Sequence, residues 1–248
     1  MKLTRVSITG ADDLIDPEYL IDLSLEFPFV EWAILVSRSQ ENNYRFPSRT
    51  WCRRFAALVN AANLTKGTSI NVATHVCGSW VRELLVGDLR WDDLPDVLDV
   101  SKRVQINTYS EMNPHNYRRF LANLRDLPNK EFIFQLDGVN NYLVLETVWE
   151  ISIQGAGLFD TSAGAGILPA RWPTILHPYS CGFAGGLGPE NVVEQIAAIE
   201  AANSSDYLTH RTYWIDMERR VRSEDDSYFD LTKVRRVLDL AKPFITEV

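Results

Sequence analysis

VEWAILVSRSQENNYRFPSRTWCRRFAALVNAANLTKGTSINVATHVCG, residues 30–78, reads as strand, helix, strand. VEWAILVSRS (30–39) and SINVATHVCG (69–78) are short apolar runs rich in β-branched residues. SRTWCRRFAALVNAAN (48–63), between them, repeats apolar residues at three- and four-residue spacing. A helix joining two strands of one sheet is a right-handed crossover that leaves the strands parallel. The same alternation continues on both sides. RVSITG (5–10) precedes, and RVQINTYSE (103–111), EFIFQLDG (131–138), GLFDTSAG (157–164), YSCGFAGG (179–186) and TYWIDMER (212–219) follow. Helix-periodic stretches separate most of them: PEYLIDLSLEF (17–27), SWVRELLVGDL (79–89), PHNYRRFLANLRDL (114–127) and PENVVEQIAAIEAAN (189–203), with FDLTKVRRVLDLAKPF (229–244) as a closing helix. Asn113 or Pro114, and Pro189, stand where helices start.

Eight strand–helix units predict a single (β/α)8 TIM barrel over residues 1–248, an α/β fold of the usual barrel length. The alternative is an open doubly wound sheet. Its glycine-rich turn after the first strand is missing, since Gly10 is followed by Ala11, Asp12 and Asp13. The composition is that of a globular protein, 46% hydrophobic and 23% charged, without a low-complexity linker. A net charge of -8 argues against a nucleic-acid polymer as partner but leaves room for a basic pocket around one anion. No window has the roughly 20 apolar residues of a membrane span, so no membrane is expected. Cys52, Cys77 and Cys181 fit reduced thiols of a cytoplasmic protein. They have no zinc-site spacing, and His115, His177 and His210 match no metal pattern, so no metal is expected.

In a barrel, ligands meet the C-terminal strand ends, where each apolar run turns polar. Those positions are Ser7 and Thr9, Arg38, His75, Asn107, Gln135 or Asp137, Asp160, the Gly185–Gly186 pair, Asp216 and Glu218. Asp160, followed by Thr-Ser-Ala-Gly-Ala-Gly, is placed as a general acid or base, or as a cap on the next loop. In CGFAGGLGPEN (181–191) paired glycines let backbone approach a ligand, and a helix start just beyond offers amides to phosphate; the bland reading is a tight connection. Among the tryptophans, Trp32, Trp149, Trp172 and Trp214 read as packing residues, with Trp172 placed to line the mouth.

RVSITGADD, LFDTSAGAG, GFAGGLGPENV and WIDMERRVR with FDLTKVRRVL resemble the first, sixth, seventh and eighth strand regions of the phosphoribosylanthranilate isomerase family. That resemblance implies a cofactor-independent acid–base isomerase acting on a phosphorylated sugar derivative. It implies Asp160 as the acid, Arg45 of NNYRFPS as a carboxylate-holding arginine, and Gln105 as a polar fourth-strand residue. Two departures stand out. Thr9 occupies the family's catalytic-cysteine position, and a threonine hydroxyl is a far weaker base than a thiol. The eighth-strand phosphate turn is replaced by Asp216-Met217-Glu218-Arg219-Arg220-Val221-Arg222. Arg219, Arg220 and Arg222 are then either anion contacts or a solvated loop, and Glu218 a hydroxyl acceptor. His75 is a replacement base or a rim histidine. The expected ligand is an anionic, phosphorylated small molecule, sugar phosphate or nucleotide-like. The chain is either an isomerase of altered specificity or a non-catalytic barrel that sequesters or senses a nucleotide-type signal.

Overall fold

A computed structural model of the chain describes residues 1–107, 117–136, 145–148, 150, 152–160, 165–175, 180–205 and 211–246. Asn113, Pro114, His115, Asp137, Trp149, residues 161–164, His177 and His210 lie outside them. The strands are β1 (Lys2–Thr9), β2 (Val30–Val36), β3 (Asn71–Val76), β4 (Arg103–Ile106), β5 (Glu131–Gln135), β6 (Gly155–Phe159), β7 (Ser180–Ala184) and β8 (Thr212–Met217). Each overlaps a run read from sequence; β1 and β6 begin before theirs, at Lys2 and Gly155, and the other six lie inside. They pair in parallel in sequence order, and β8 closes on β1 from Lys2↔Thr212 to Ile8↔Met217. That closure excludes the open sheet.

The helices with described bounds are α1 (Pro17–Glu26), α2 (Arg49–Lys66), α3 (Ser79–Val86), α4 (Val97–Val100), α5 (Tyr117–Arg125), α6 (Val192–Ala202) and α7 (Leu231–Ala241), and residues 145–148 are helical as well. Local chemistry sets their ends. Asp16 accepts from the Glu18 amide ahead of Pro17, Ser48 accepts from the Trp51 amide, and Asp230 accepts from the Thr232 and Lys233 amides. Gly67 ends α2 in the left-handed conformation, at φ +59°. Pro189 lies in a turn, three residues before α6 begins at Val192. Among the described residues no helix is long and apolar enough to cross a membrane.

Period-two alternation divides each strand between two environments. Outward residues such as Val6, Trp32, Val72, Phe132, Phe183 and Ile215 pack under the helices in the main core. The inward Ile133, Ala156, Leu158, Ala184 and Trp214 form a smaller cluster inside the barrel. Gly182 is needed there, because a Cβ on it would lie 2.1 Å from the Trp214 ring.

Candidate functional site at the C-terminal mouth of the barrel

The phase that turns Trp214 inward also turns Asp216 inward, and Glu218 after it; on β6 the phase of Ala156 and Leu158 continues to Asp160. The registers Ser7↔Asp216, Leu35↔His75, His75↔Gln105 and Ala184↔Asp216 bring the strand ends to one level. There they enclose a cavity of about 140 Å³. Three carboxylates line it, Asp160, Asp216 and Glu218. Arg45 and the polar His75, Gln105, Asn107 and Gln135 line it too, and Leu35, Phe46 and Leu158 supply an apolar wall. A second cavity of about 40 Å³ shares the three carboxylates and opens sideways onto Gly185, Gly186, Arg219 and Arg220.

The floor below carries charge of its own. Glu31 is 1% exposed and accepts from Ser7 (2.6 Å) and Arg103 (2.9 Å), while Arg5 reaches its other oxygen at 3.2 Å. The Arg103 guanidinium lies 3.8 Å from the centre of the Trp214 ring. Burial alone would raise the Glu31 carboxyl, but Arg103, Arg5 and the Ser7 hydroxyl outweigh it and hold it below the ordinary carboxylate range.

Asp216 has different company. It is 8% exposed, and the Thr9 hydroxyl donates to its Oδ1 at 2.9 Å. Burial pushes its carboxyl up to about 8; the Thr9 hydrogen bond opposes this, and Glu218, Asp160 and Glu31 add to it. Burial also raises Glu218, although Arg45 donates to its Oε1 at 2.7 Å. Thr9 is therefore a holder of Asp216. His75 is buried among these groups, and that burial drives its imidazole down to about 3 against the pull of Glu31. It is neutral and weakly basic, which counts against the replacement-base reading. Gln105 donates to Asn107 at 2.7 Å, and the Asn107 amide reaches the Cys77 sulfur at 3.2 Å.

The arginines divide. Arg222, expected at the ligand, is wholly buried: it donates to both Asp12 and Asp226 and to the Gly10 carbonyl. It is a clamp between the loops after β1 and β8. Arg45 sits at φ +70°, its amide on Asp12 at 2.9 Å and its guanidinium shared between Glu218 and Asp226. Arg219 and Arg220 are exposed, the former donating to the Ala165 carbonyl at 3.2 Å. Arg38 turns away to Glu83 on α3, at 2.6 Å. The glycine turn is braced by Asn191, which donates to the Gly186 carbonyl and accepts from the Gly188 amide, each at 2.9 Å. Trp172 packs edge-on against Phe183 in the main core, behind β7 and away from the mouth.

The strand-end residues named from sequence thus meet here, apart from Arg38, Arg222 and those outside the described set. The Glu31–Arg103 floor and the apolar wall escaped notice. A signal existed for the floor: Glu31 is in phase with Leu35, and Arg103 with Gln105, inside otherwise apolar runs. Cys52, Cys77 and Cys181 are free and buried, and among the described residues no group of three or more His, Cys, Asp or Glu is placed to hold a metal ion.

No protein-family model and no curated protein matches the chain. Solved structures do. The truncated 3-deoxy-D-arabino-heptulosonate 7-phosphate synthase of Thermotoga maritima is 10% identical over 98% of this chain and 86% of its own, at a TM-score of 0.54. A Rubisco-like protein from Rhodopseudomonas palustris is 12% identical over 100% of this chain and 66% of its own, at 0.50. The phosphoribosyl anthranilate isomerase of Thermococcus kodakaraensis is 14% identical over 97% of this chain and 99% of its own, at 0.45, which is too distant to support a family assignment. The chain is a (β/α)8 barrel, and the likenesses reach no further than that fold.

Proposed function

We propose that this barrel binds a small phosphate-bearing, hydroxyl-rich compound at the C-terminal ends of its strands and carries out acid–base chemistry on the part lying over the barrel axis. One observation carries the reading: the two cavities share Asp160, Asp216 and Glu218, so an anion-binding end and a proton-exchanging end belong to one site. A phosphate is repelled by the carboxylates and drawn to the glycine turn with Arg219 and Arg220. The remainder of such a ligand, uncharged and rich in hydroxyls, suits the carboxylates and the amides of Gln105, Asn107 and Gln135. The motifs shared with the isomerase family, Asp160 and the glycine turn above all, agree with a sugar-phosphate type of ligand. Three free thiols suit a cytoplasmic setting.

A second reading is non-catalytic capture of a phosphorylated nucleotide-type signal. It is favoured by the weak basicity of His75 and the absence of a cysteine at Thr9. Calorimetry with sugar phosphates, nucleotides and their dephosphorylated forms, at two salt concentrations, tests both. The phosphorylated members should bind, with affinity falling as salt rises and falling further in Arg220→Ala. Equal binding of phosphorylated and dephosphorylated compounds would sink the phosphate assignment. Conversion of a bound compound, followed by NMR, separates catalysis from capture.

A further inference from the structure

We infer that Asp216, held by the Thr9 hydroxyl, is the proton carrier of this site, entering the reaction as a neutral carboxylic acid. The argument is a charge inventory around one small cavity. Glu218, just past the end of β8, and Asp160, just past the end of β6 across the mouth, line the cavity with Asp216, and Glu31 of β2 lies beneath. Arg219 and Arg220 border the smaller cavity from exposed positions outside the barrel, and the other described cations near these carboxyl groups are committed. Arg45, from the loop after β2, is shared between Glu218 and Asp226. Arg5 of β1 and Arg103 of β4 are spent on Glu31, and Arg103 also pairs with Glu131 of β5 at 2.7 Å. His75 of β3 is kept neutral by its burial. The facing residues of β7, Gly182 and Ala184, bring no charge.

Among the described residues no cation lies within ion-pair distance of Asp216; its side-chain partner is a hydroxyl. A buried carboxylate surrounded by like charges and lacking a cation takes up a proton instead of paying its desolvation. Its upward shift to about 8 agrees. Thr9 occupies Oδ1, which leaves Oδ2 to carry the proton. Asp216 also borders both cavities, so it faces a ligand held in either. In the transfer the carboxyl O–H bond breaks, its electron pair stays on Asp216, and the proton passes to an oxygen of the ligand. Water restores it when product leaves. The inference rests on the reading above only for what receives the proton.

Infrared difference spectroscopy of the whole protein across pH tests it. A protonated-carboxyl band is expected at pH 6.5, lost with a midpoint near 8 and missing in Asp216→Asn. Thr9→Val removes a bond that favours the charged form, so it should move the midpoint up. This keeps the test open should Asp216→Asn fail to fold. Inorganic phosphate, at a concentration that calorimetry shows to be saturating, should also move the midpoint up by placing negative charge in the adjoining cavity. No band at pH 6.5, a band surviving in Asp216→Asn, or a midpoint indifferent to bound phosphate overturns the inference. If phosphate fails to bind while the band titrates as expected, the phosphate reading fails and the protonated Asp216 stands.

Discussion

At the scale of single residues, His75 and Asp216 are buried at one mouth with opposite shifts, and their signs can be read from stability against pH. His75 is depressed to about 3, below the roughly 6.5 of an unfolded histidine. Above pH 6.5 neither state is protonated and its full contribution is present; as pH falls the unfolded chain takes a proton first, so stability is lost down to about 3. His75→Gln should flatten that acid-side loss, by at most about 1.4 kcal/mol per pH unit, in urea titrations at pH 4, 5 and 7. Asp216 runs the other way. Its folded value is raised, so its contribution is intact below the unfolded value near 3.9 and lost as pH rises through about 8. Asp216→Asn should therefore gain stability relative to the parent between pH 5 and pH 9. For Asp160, replacement by Asn keeps the shape while removing the charge. The melting temperature should hold while ligand binding or turnover is lost; a large fall in stability with ligand behaviour unchanged would support the loop-capping role instead.

At the scale of elements, the turn after β7 carries the proposed anion end and the loop after β8 carries a clamp of the fold. Gly186 sits at φ +65°, and a Cβ on it would come within 2.6 Å of the Leu168 amide nitrogen. Gly186→Val therefore meets backbone, and its strain is of order 1–3 kcal/mol before any ligand is considered. Arg220→Ala, at an exposed side chain, is the cleaner probe of the anion end. Arg222→Ala leaves Asp12 buried without its partner and should cost about 3–5 kcal/mol, read as a lowered denaturation midpoint. A variant that stays stable and loses only ligand affinity would return Arg222 to the site. The motif WIDMERRVR thus contains a proton-active carboxyl, two exposed arginines and one clamp, and only the first can be ordered by strand phase alone.

At the scale of the whole molecule, the barrel interior sets an ion cluster, Glu31 with Arg5 and Arg103, beside the apolar Ile133, Leu158 and Trp214, where a barrel usually packs branched apolar side chains throughout. Removing one partner of a buried pair strands the other, so Glu31→Gln should cost about 3–5 kcal/mol. The double replacement Glu31→Leu with Arg103→Met should cost less than the sum of its single replacements in a double-mutant cycle; simple additivity would mean the pair is not coupled. The strand–helix alternation, the eight strands and their parallel sense were legible in the chain, because periodicity is local and survives in a linear string. So was the candidate rim: the point where each apolar run turns polar marks its strand end, and Thr9, His75, Asp160 and Asp216 were all named from it. Their roles were not legible. Whether Thr9 acts or holds, whether His75 is a base, and which of Arg219, Arg220 and Arg222 meets a ligand depend on desolvation and on partners far apart in sequence. Thr9 and Asp216 are 207 residues apart, and Arg222 and Asp12 are 210 apart. The sequence by itself determined the barrel and its rim; only closure of β8 onto β1 decided the charge state of what the rim encloses, because proton affinity is set by burial and neighbouring charge.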